Sequence, residues 1–241
     1  MSISFDPLGE AALKLSFNRR ISPLLNNNIV SFCEELASRH INGITEWVPA
    51  YDSVTVYYEP WAFTYKQITE LLSELVAETD QQENHIRSVV TIPTLYGGEF
   101  GPDLENLAHS KGKKKNDIIA LHTERDYLVN MIGFLPGFPY LSGLNEEIAM
   151  PRLDEPRQAV PAGSVGIAGN QTGIYPLESP GGWNVIGRTP LRLFDPEKKE
   201  PFLFQQGDFL HFQSITEEEY KRIQLQVEDD TYELERREGN E

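Results

Sequence analysis

A segment dense in glycine and proline constrains the fold of this chain more than any other feature. Residues 133–187 hold 10 of the 18 glycines and 7 of the 16 prolines. Both residue types favour turns, and proline in the interior of a helix breaks or kinks it. The segment therefore predicts short strands joined by tight turns, in an all-β barrel or sandwich.

The charge balance excludes two classes of partner. The 241 residues include 21 basic and 37 acidic side chains, which give a formal net charge of −16. Nucleic acids and anionic membrane surfaces require clustered lysine and arginine, so we expect neither as a partner. The sequence has one cysteine, no leader-like N-terminus and no apolar run of 18 residues. We therefore expect a cytoplasmic protein without an internal disulfide.

Residues 1–90 alternate between strand-like and helix-like patterns. Ser22 and Thr64 are of the types that cap helices, and each precedes apolar residues spaced three and four apart. This β-α-β-β-α-β order is that of a ferredoxin-like α/β domain. The predicted elements are a strand at 11–17, a helix at 23–36, strands at 43–49 and 53–58, a helix at 64–76 and a strand at 86–92.

Residues 91–215 predict a second domain, and residues 216–241 predict an acidic tail. We expect an α+β protein whose second domain is a barrel with a small helical insertion. Thr216 and Glu219 have the spacing of a capping box, which predicts a short helix followed by a frayed end. The elements predicted around the glycine-rich segment are helices at 102–110 and 116–123 and strands at 190–194, 202–204 and 209–212.

Two polar side chains are candidates for catalysis by their position. His122 ends a short apolar helix just before the glycine-rich segment. It can interact with the helix dipole or act as a general acid or base, and spacing alone leaves both open. Ser164 lacks the Gly-x-Ser-x-Gly context of a hydrolase nucleophile, so a turn hydroxyl is favoured. The five histidines lack the spacing of a preformed zinc site.

Glycines, arginines and aromatic rings offer sites for a ligand. Gly163 and Gly166 allow backbone amides to approach an anion, although a twisted strand pair is favoured over a nucleotide loop. Arg152 and Arg157 suit a carboxylate or phosphate, and ion pairs with neighbouring acidic residues are the alternative. The lysine run at 111–115 favours a solvated loop. Four rings either plug a barrel end or line a groove, namely Phe134, Phe138, Tyr140 and Trp183.

A series of motifs resembles a known family over about residues 8–215. The family is that of the B subunits of the bacterial ATP-dependent 5-oxoprolinases, which includes the KipI-like sporulation sensor-kinase inhibitors and is also described as allophanate hydrolase subunit 1. The motifs are IPTLYGG at 92–98, GFLPGFPYLSGL at 133–144, PRLDEPR at 151–157, VPAGSVGIAG at 160–169, QTGIYP at 171–176, SPGGWNVIGRT at 179–189 and QGDFLHF at 206–212.

The resemblance implies a fold, a reaction and partners. The fold would be a ferredoxin-like domain followed by a cyclophilin-like β-barrel, similar to one half of the carboxyltransferase domain of urea carboxylase. The B subunit would pair with a homologous C subunit, and with an A subunit the complex would open 5-oxo-L-proline to L-glutamate with ATP hydrolysis. ATP with Mg²⁺ would be bound by the complex, and no biotin is expected on this chain.

The resemblance also implies site residues. His122 would be the acid or base, and Arg157 or Arg152 would hold a carboxylate or phosphate. The set that would bind substrate or nucleotide is Gly163, Ser164, Gly166, Gln171, Thr172, Gly181, Gly182 and Arg188.

A second interpretation, which does not exclude the first, is an interaction protein. A KipI-like chain would bind a sporulation sensor histidine kinase through exposed apolar barrel surface and block its autophosphorylation without any catalytic residue.

Overall fold

The computed structural model describes residues 2–79 and 88–238 and divides the chain into two compact units. The first unit comprises residues 1–85 and the second residues 86–241. The boundary expected between residues 90 and 91, and the separate domain expected from residue 216, stay predictions. Among the described residues, no helix combines the length and apolar character needed to cross a membrane.

The first unit is a four-stranded antiparallel sheet with two helices. Its sheet order is β1-β2-β4-β3. Alternate strand residues and one side of each helix form its core, which includes Leu13, Leu15, Val54, Val56, Ile29, Phe32, Ile68 and Leu72. The elements are β1 (Ile3–Pro7), β2 (Ala12–Phe17), α1 (Pro23–Arg39), β3 (Ile44–Pro49), β4 (Ser53–Tyr58) and α2 (Tyr65–Thr79).

Both predicted helix starts in this unit are confirmed. The Ser22 hydroxyl accepts a hydrogen bond from the Leu25 amide at 3.2 Å, and Pro23 begins α1. The Thr64 hydroxyl accepts from the Gln67 amide at 3.3 Å. Each cap satisfies a backbone donor that the first helical turn leaves unpaired.

The last strand of the predicted ferredoxin-like order is not in this sheet. The described part of residues 86–92 belongs to β5 (Ser88–Tyr96), which pairs only within the second unit. The place beside β2 is taken by β1, a strand that the sequence pattern did not predict. Strand pairing between distant segments is not encoded in local periodicity, so the pattern identified the strand and not its partner.

The second unit contains a closed barrel of seven strands. Around the ring the order is β12-β9-β10-β7-β6-β13-β5, and pairing of β12 with β5 closes it. The predicted barrel is therefore present. Its further elements are α3 (Leu104–Ser110), α4 (Lys115–Thr123), β6 (Asp126–Ile132), β7 (Pro139–Ser142), β8 (Arg157–Val160), β9 (Ser164–Ala168), β10 (Gln171–Ile174), β11 (Ser179–Gly181), β12 (Asn184–Arg188), β13 (Phe209–Ser214), α5 (Glu217–Glu228) and β14 (Arg236–Glu238).

Two predictions for the end of the chain are wrong. Residues 190–194 and 202–204 are not strands, since they share a single bridge between Phe194 and Phe202. The stretch after α5 is not frayed through residue 238, because β14 pairs with β5. The capping box is confirmed: the Thr216 hydroxyl accepts from the Glu219 amide, and the Glu219 carboxylate accepts from the Thr216 amide.

Candidate functional site

A pocket of about 290 Å³ opens on the second unit and is lined mainly by aromatic rings. Its residues come from β7 and the segment before it, the segment before β8, the position after β10, and β11 with the turn that follows it. All of these lie within the stretch that is dense in glycine and proline. The lining residues are Phe134, Phe138, Tyr140, Arg152, Pro156, Tyr175, Pro180, Gly181, Gly182 and Trp183.

Phe138 is the ring around which the pocket wall is built. Its centroid lies 5.1 Å from Tyr140, 5.4 Å from Tyr175 and 5.5 Å from Trp183. The contacts with Tyr175 and Trp183 are edge-to-face, the arrangement that aromatic quadrupoles favour. Because Phe138, Tyr175 and Trp183 are nearly fully buried, this wall is rigid. Of the two alternatives for these aromatic residues, the groove is the one observed.

Phe134 forms the exposed edge of the pocket. Its side chain is 70% exposed, and its ring packs edge-to-face on Phe138 at 5.9 Å. Its φ of 69° lies in the left-handed region, which is unfavourable for a residue with a Cβ atom. Strained backbone at the rim of a pocket is a feature of binding sites.

Arg152 supplies the positive charge at this pocket. Its side chain is exposed, and within the described parts of the chain it has neither a hydrogen bond nor an ion pair. Its backbone is held on both sides: the Leu153 amide donates to the Gly182 carbonyl at 2.7 Å, and the Asn184 amide group donates to the Pro151 carbonyl at 2.7 Å. The guanidinium lines the pocket and, within the described residues, has no competing carboxylate, so it suits an anion.

The two tyrosines of the wall are neutral hydrogen-bonding groups. Burial raises the pKa of the Tyr140 hydroxyl, and the charge of Arg152 lowers it by a smaller amount. Burial likewise raises the pKa of Tyr175. Tyr175 was missed in the sequence because it lies in an ordinary strand-to-turn segment, with no spacing signal to identify it.

Gly181 and Gly182 both line the pocket, but they differ in the space around them. A Cβ atom on Gly181 would lie 2.3 Å from the Tyr175 hydroxyl, so this glycine allows the tyrosine to reach the turn. A Cβ atom on Gly182 would meet only ordinary contacts, the nearest at 3.6 Å. Gly166 lies behind the wall, where a Cβ atom would approach Trp183 Cβ to 3.1 Å.

The structure places His122 and Thr172 inside the barrel rather than at the pocket. His122 has no exposed surface. Its Nδ1 lies 2.8 Å from the Tyr96 hydroxyl and its Nε2 lies 2.8 Å from the Thr172 hydroxyl. Desolvation lowers the pKa of His122 to about 3, so the imidazole is neutral. Its role as acid or base stays a prediction.

The other predicted donors form part of the barrel wall. The Gly163 amide donates to the Tyr175 carbonyl at 2.7 Å, and the Ser164 amide donates to Pro161 at 3.2 Å. The Ser164 hydroxyl is fully buried and has no hydrogen-bond partner among the residues described. Gln171 begins β10 and is half-buried. The Gly163 and Ser164 amides thus donate within the barrel, and a role of these residues in binding substrate or nucleotide stays a prediction.

Arg157 and Arg188 also have protein neighbours. The Arg157 guanidinium lies 2.6 Å from the Asp103 carboxylate. Arg188 stacks over the Phe100 ring, with Cζ 5.4 Å from the centroid, and its Nε has no partner in the described chain. Arg152 is therefore the one of the three predicted arginines that lines the pocket.

Two lysines of the run form ion pairs at the surface. Lys113 pairs with Glu147 at 2.6 Å, and Lys115 pairs with Glu105 at 2.9 Å. Over residues 2–79 and 88–238, no three His, Cys, Asp or Glu side chains are grouped as metal ligands are.

Comparison with known proteins identifies the class to which this fold and pocket belong. Residues 3–204 match the family model of the carboxyltransferase domain, subdomain C and D. The fold alone is shared with the urea amidolyase of K. lactis, at 18% identity and a TM-score of 0.78. That match covers 98% of this chain and 16% of the larger protein.

Relatives that match over almost their whole length identify the family more specifically. The B subunit of 5-oxoprolinase from Bacillus subtilis is 39% identical over 226 residues, which cover 89% of this chain and 94% of that protein. The B subunit of 5-oxoprolinase from Haemophilus influenzae is 41% identical over 209 residues, covering 86% and 95%. The chain belongs to the family of 5-oxoprolinase B subunits.

Proposed function

We propose that this chain acts as the B subunit of an ATP-dependent 5-oxoprolinase. The observation that carries the proposal is the similarity to two relatives of that name over almost their whole length. The pocket adds support, because it combines aromatic walls with Arg152, a cation that has no ion pair among the described residues, in a volume suited to a small ligand.

The proposed ligand chemistry follows from the pocket. 5-Oxo-L-proline carries one carboxylate and one five-membered lactam ring. The carboxylate would bind the Arg152 guanidinium, whose two forked donors match its geometry. The lactam ring would pack against the aromatic side chains that line the pocket, among them the exposed ring of Phe134.

Hydrolysis of the lactam requires activation, because an amide resists attack by water. Transfer of the γ-phosphoryl group of ATP to the lactam oxygen would release ADP and activate the ring carbon. Addition of water to that carbon would then break the carbon–nitrogen bond and release phosphate, which leaves L-glutamate. This chain's part would be to bind and orient the ring in a site with restricted water access. We propose that ATP and Mg²⁺ are bound elsewhere in a complex with the A and C subunits. Among the described residues, no three His, Cys, Asp or Glu side chains are grouped as metal ligands are.

For His122 we propose a role inside the barrel. Its two ring nitrogens bridge β5 and β10 through Tyr96 and Thr172. A general base must reach the proton that it removes, either directly or through one water. A fully buried imidazole with both nitrogens engaged fits a structural bridge better.

We also propose the finer description of the fold. The first unit would be a ferredoxin-like variant in which β1 takes the edge position beside β2. The second would be a cyclophilin-like barrel. An experimental structure compared with both fold families would test each assignment.

Reconstitution tests the function most simply. The purified chain is mixed with the A and C subunits of its own organism, and ATP hydrolysis is measured with and without 5-oxo-L-proline. We expect hydrolysis that depends on the lactam and on this chain, with L-glutamate formed in proportion. Full activity of the A and C subunits without this chain would contradict the proposal.

A further inference from the structure

We propose that Asp103 is a positioning residue for the pocket, which it serves by holding the segment that carries Trp183. The proposal rests on the proposed function only in taking this pocket as the binding site. Asp103 itself does not line the pocket. It lies just before α3 and is 8% exposed.

The Asp103 side chain does not cap the helix that follows it, although its position favours that role. An aspartate at the start of a helix normally accepts a hydrogen bond from a backbone amide of the first turn. Here the side chain makes no such bond. Its carboxylate points to the neighbouring turn and strand instead. Because Asp103 makes other contacts in place of the helix cap, we infer that those contacts stabilise the structure more than the cap would.

The Asp103 carboxylate binds the segment around Trp183 directly through Oδ2 and indirectly, by way of Arg157, through Oδ1. Oδ2 accepts from the Val185 amide at 2.6 Å, and the Asp103 amide donates back to the Val185 carbonyl at 2.9 Å. Oδ1 accepts from Arg157 Nη2 at 2.6 Å. Arg157 Nη1 in turn donates to the Trp183 carbonyl at 3.4 Å. Trp183 is thus held through its own carbonyl and through the residue two positions later.

The same segment also fixes the cation of the pocket. Asn184, between the two anchored residues, donates its side-chain amide to the Pro151 carbonyl, next to Arg152. The Gly182 carbonyl accepts from the Leu153 amide on the other side of Arg152. Asp103 therefore acts on both the wall and the charge of the pocket without touching a ligand.

The ion pair between Asp103 and Arg157 is sufficiently shielded from solvent to stabilise this part of the structure. The Asp103 side chain is 11% exposed and that of Arg157 is 32% exposed. Screening by solvent is weaker for such a pair than at the surface, and loss of one partner leaves the other partly buried and unpaired.

The first test is spectroscopic and does not require activity. Trp47→Phe and Trp61→Phe, both in the first unit, leave Trp183 as the only indole. In this background, Asp103→Asn removes the charge with little change of shape, and Arg157→Lys keeps the charge but loses the second donor. We expect both variants to shift Trp183 emission to longer wavelength and to increase its quenching by acrylamide. Glu105→Gln, which removes an exposed ion pair on the same helix, is the matched control and should change neither.

The second test uses the reconstituted enzyme. We expect Asp103→Asn to raise the KM for 5-oxo-L-proline roughly tenfold or more, with a smaller change in kcat, because displacement of binding groups by about 1 Å has such effects. Unchanged Trp183 emission and quenching in folded Asp103→Asn would overturn the proposal. If that variant does not fold, Arg157→Lys decides by the same readouts. An inactive parent complex would count against the proposed function only, since the fluorescence result stands by itself.

Discussion

The imidazole Nε2 of His122 lies 2.8 Å from the hydroxyl of Thr172, a residue 50 positions further along the chain. The Thr172 hydroxyl also donates to the Gly166 carbonyl at 3.1 Å, and Tyr127 donates to the His122 carbonyl at 2.8 Å. These contacts form a buried polar network in the barrel interior. A network of this kind stabilises one packing arrangement when all of its members are satisfied.

Replacing His122 should therefore affect stability more than chemistry. His122→Ala leaves a cavity and removes the hydrogen-bond partner of the Tyr96 hydroxyl, while the Thr172 hydroxyl keeps its bond to the Gly166 carbonyl. We therefore expect the free energy of unfolding to fall by roughly 2–5 kcal/mol. Urea unfolding measures this. The folded fraction, assayed at low temperature in the reconstituted enzyme, should keep turnover within tenfold of the parent. A loss of roughly 10²-fold or more in a variant that is demonstrably folded would instead support the general-base prediction.

The same histidine predicts a pH dependence of stability. The pKa of His122 is about 3 in the folded chain and about 6.5 when unfolded. Below pH 6.5 the unfolded state binds a proton that the folded state does not. The contribution of His122 to the free energy of unfolding is therefore fully present above pH 6.5. Below that pH it falls by about 1.4 kcal/mol for each pH unit towards pH 3. The difference between the parent and His122→Gln, followed by urea unfolding from pH 7 to pH 5, should show this slope. Parallel curves would count against it.

Neighbouring glycines at the pocket offer a matched pair. In Gly181→Ala the new methyl group would clash with the buried ring of Tyr175, whereas in Gly182→Ala it would not. We expect Gly181→Ala to lose about 1–3 kcal/mol of stability and to raise the KM, because the clash displaces the pocket wall. Gly182→Ala should resemble the parent. Thermal unfolding and steady-state kinetics distinguish them, and equal behaviour of the two variants would refute the geometry.

Phe134 should separate binding from stability. Glycine relieves the left-handed backbone but loses the ring contact with Phe138, so the stability of Phe134→Gly should stay within about 1 kcal/mol of the parent. Loss of the exposed ring should still weaken ligand binding. Thermal unfolding and the KM for 5-oxo-L-proline measure the two effects. An unchanged KM would show that the rim does not contact the ligand.

The features that local sequence predicts well are those set by local contacts. The caps at Ser22, Thr64 and Thr216 each involve a partner three residues away, so residue type and spacing were sufficient. The glycine-rich segment predicted short strands in a barrel or a sandwich, because glycine and proline limit the length of every element, and the barrel is the one observed. The motifs also resembled the family of 5-oxoprolinase B subunits, and the comparisons confirm that the chain belongs to it.

Most of the features that were missed depend on distant pairs. The pairing of β5 with barrel strands instead of β2 joins distant segments, which local periodicity does not encode. The β1–β2 pair is a local hairpin across residues 8–11, and it was missed because β1 was not predicted as a strand. Arg157 pairs with Asp103, which is 54 positions away in the sequence. An arginine side chain suits an ion pair and an anion-binding site equally well, so the residue type did not distinguish the two. His122 lies in the last turn of a short apolar helix. A histidine at that position can be exposed at the helix end or buried in the barrel. Only the assembled barrel distinguishes the two.

The most direct test of the central claim is the KM for 5-oxo-L-proline of an Arg152→Gln variant in the reconstituted complex. Arg152 is exposed and has no ion pair among the described residues, so its removal should leave the melting temperature unchanged. We expect the KM to rise roughly 10- to 100-fold, as for loss of a charge-assisted hydrogen-bond pair. Arg192→Gln, which removes an exposed arginine outside the pocket, should keep the parent KM. An active complex in which Arg152→Gln also keeps the parent KM would contradict the assignment of this pocket as the substrate site.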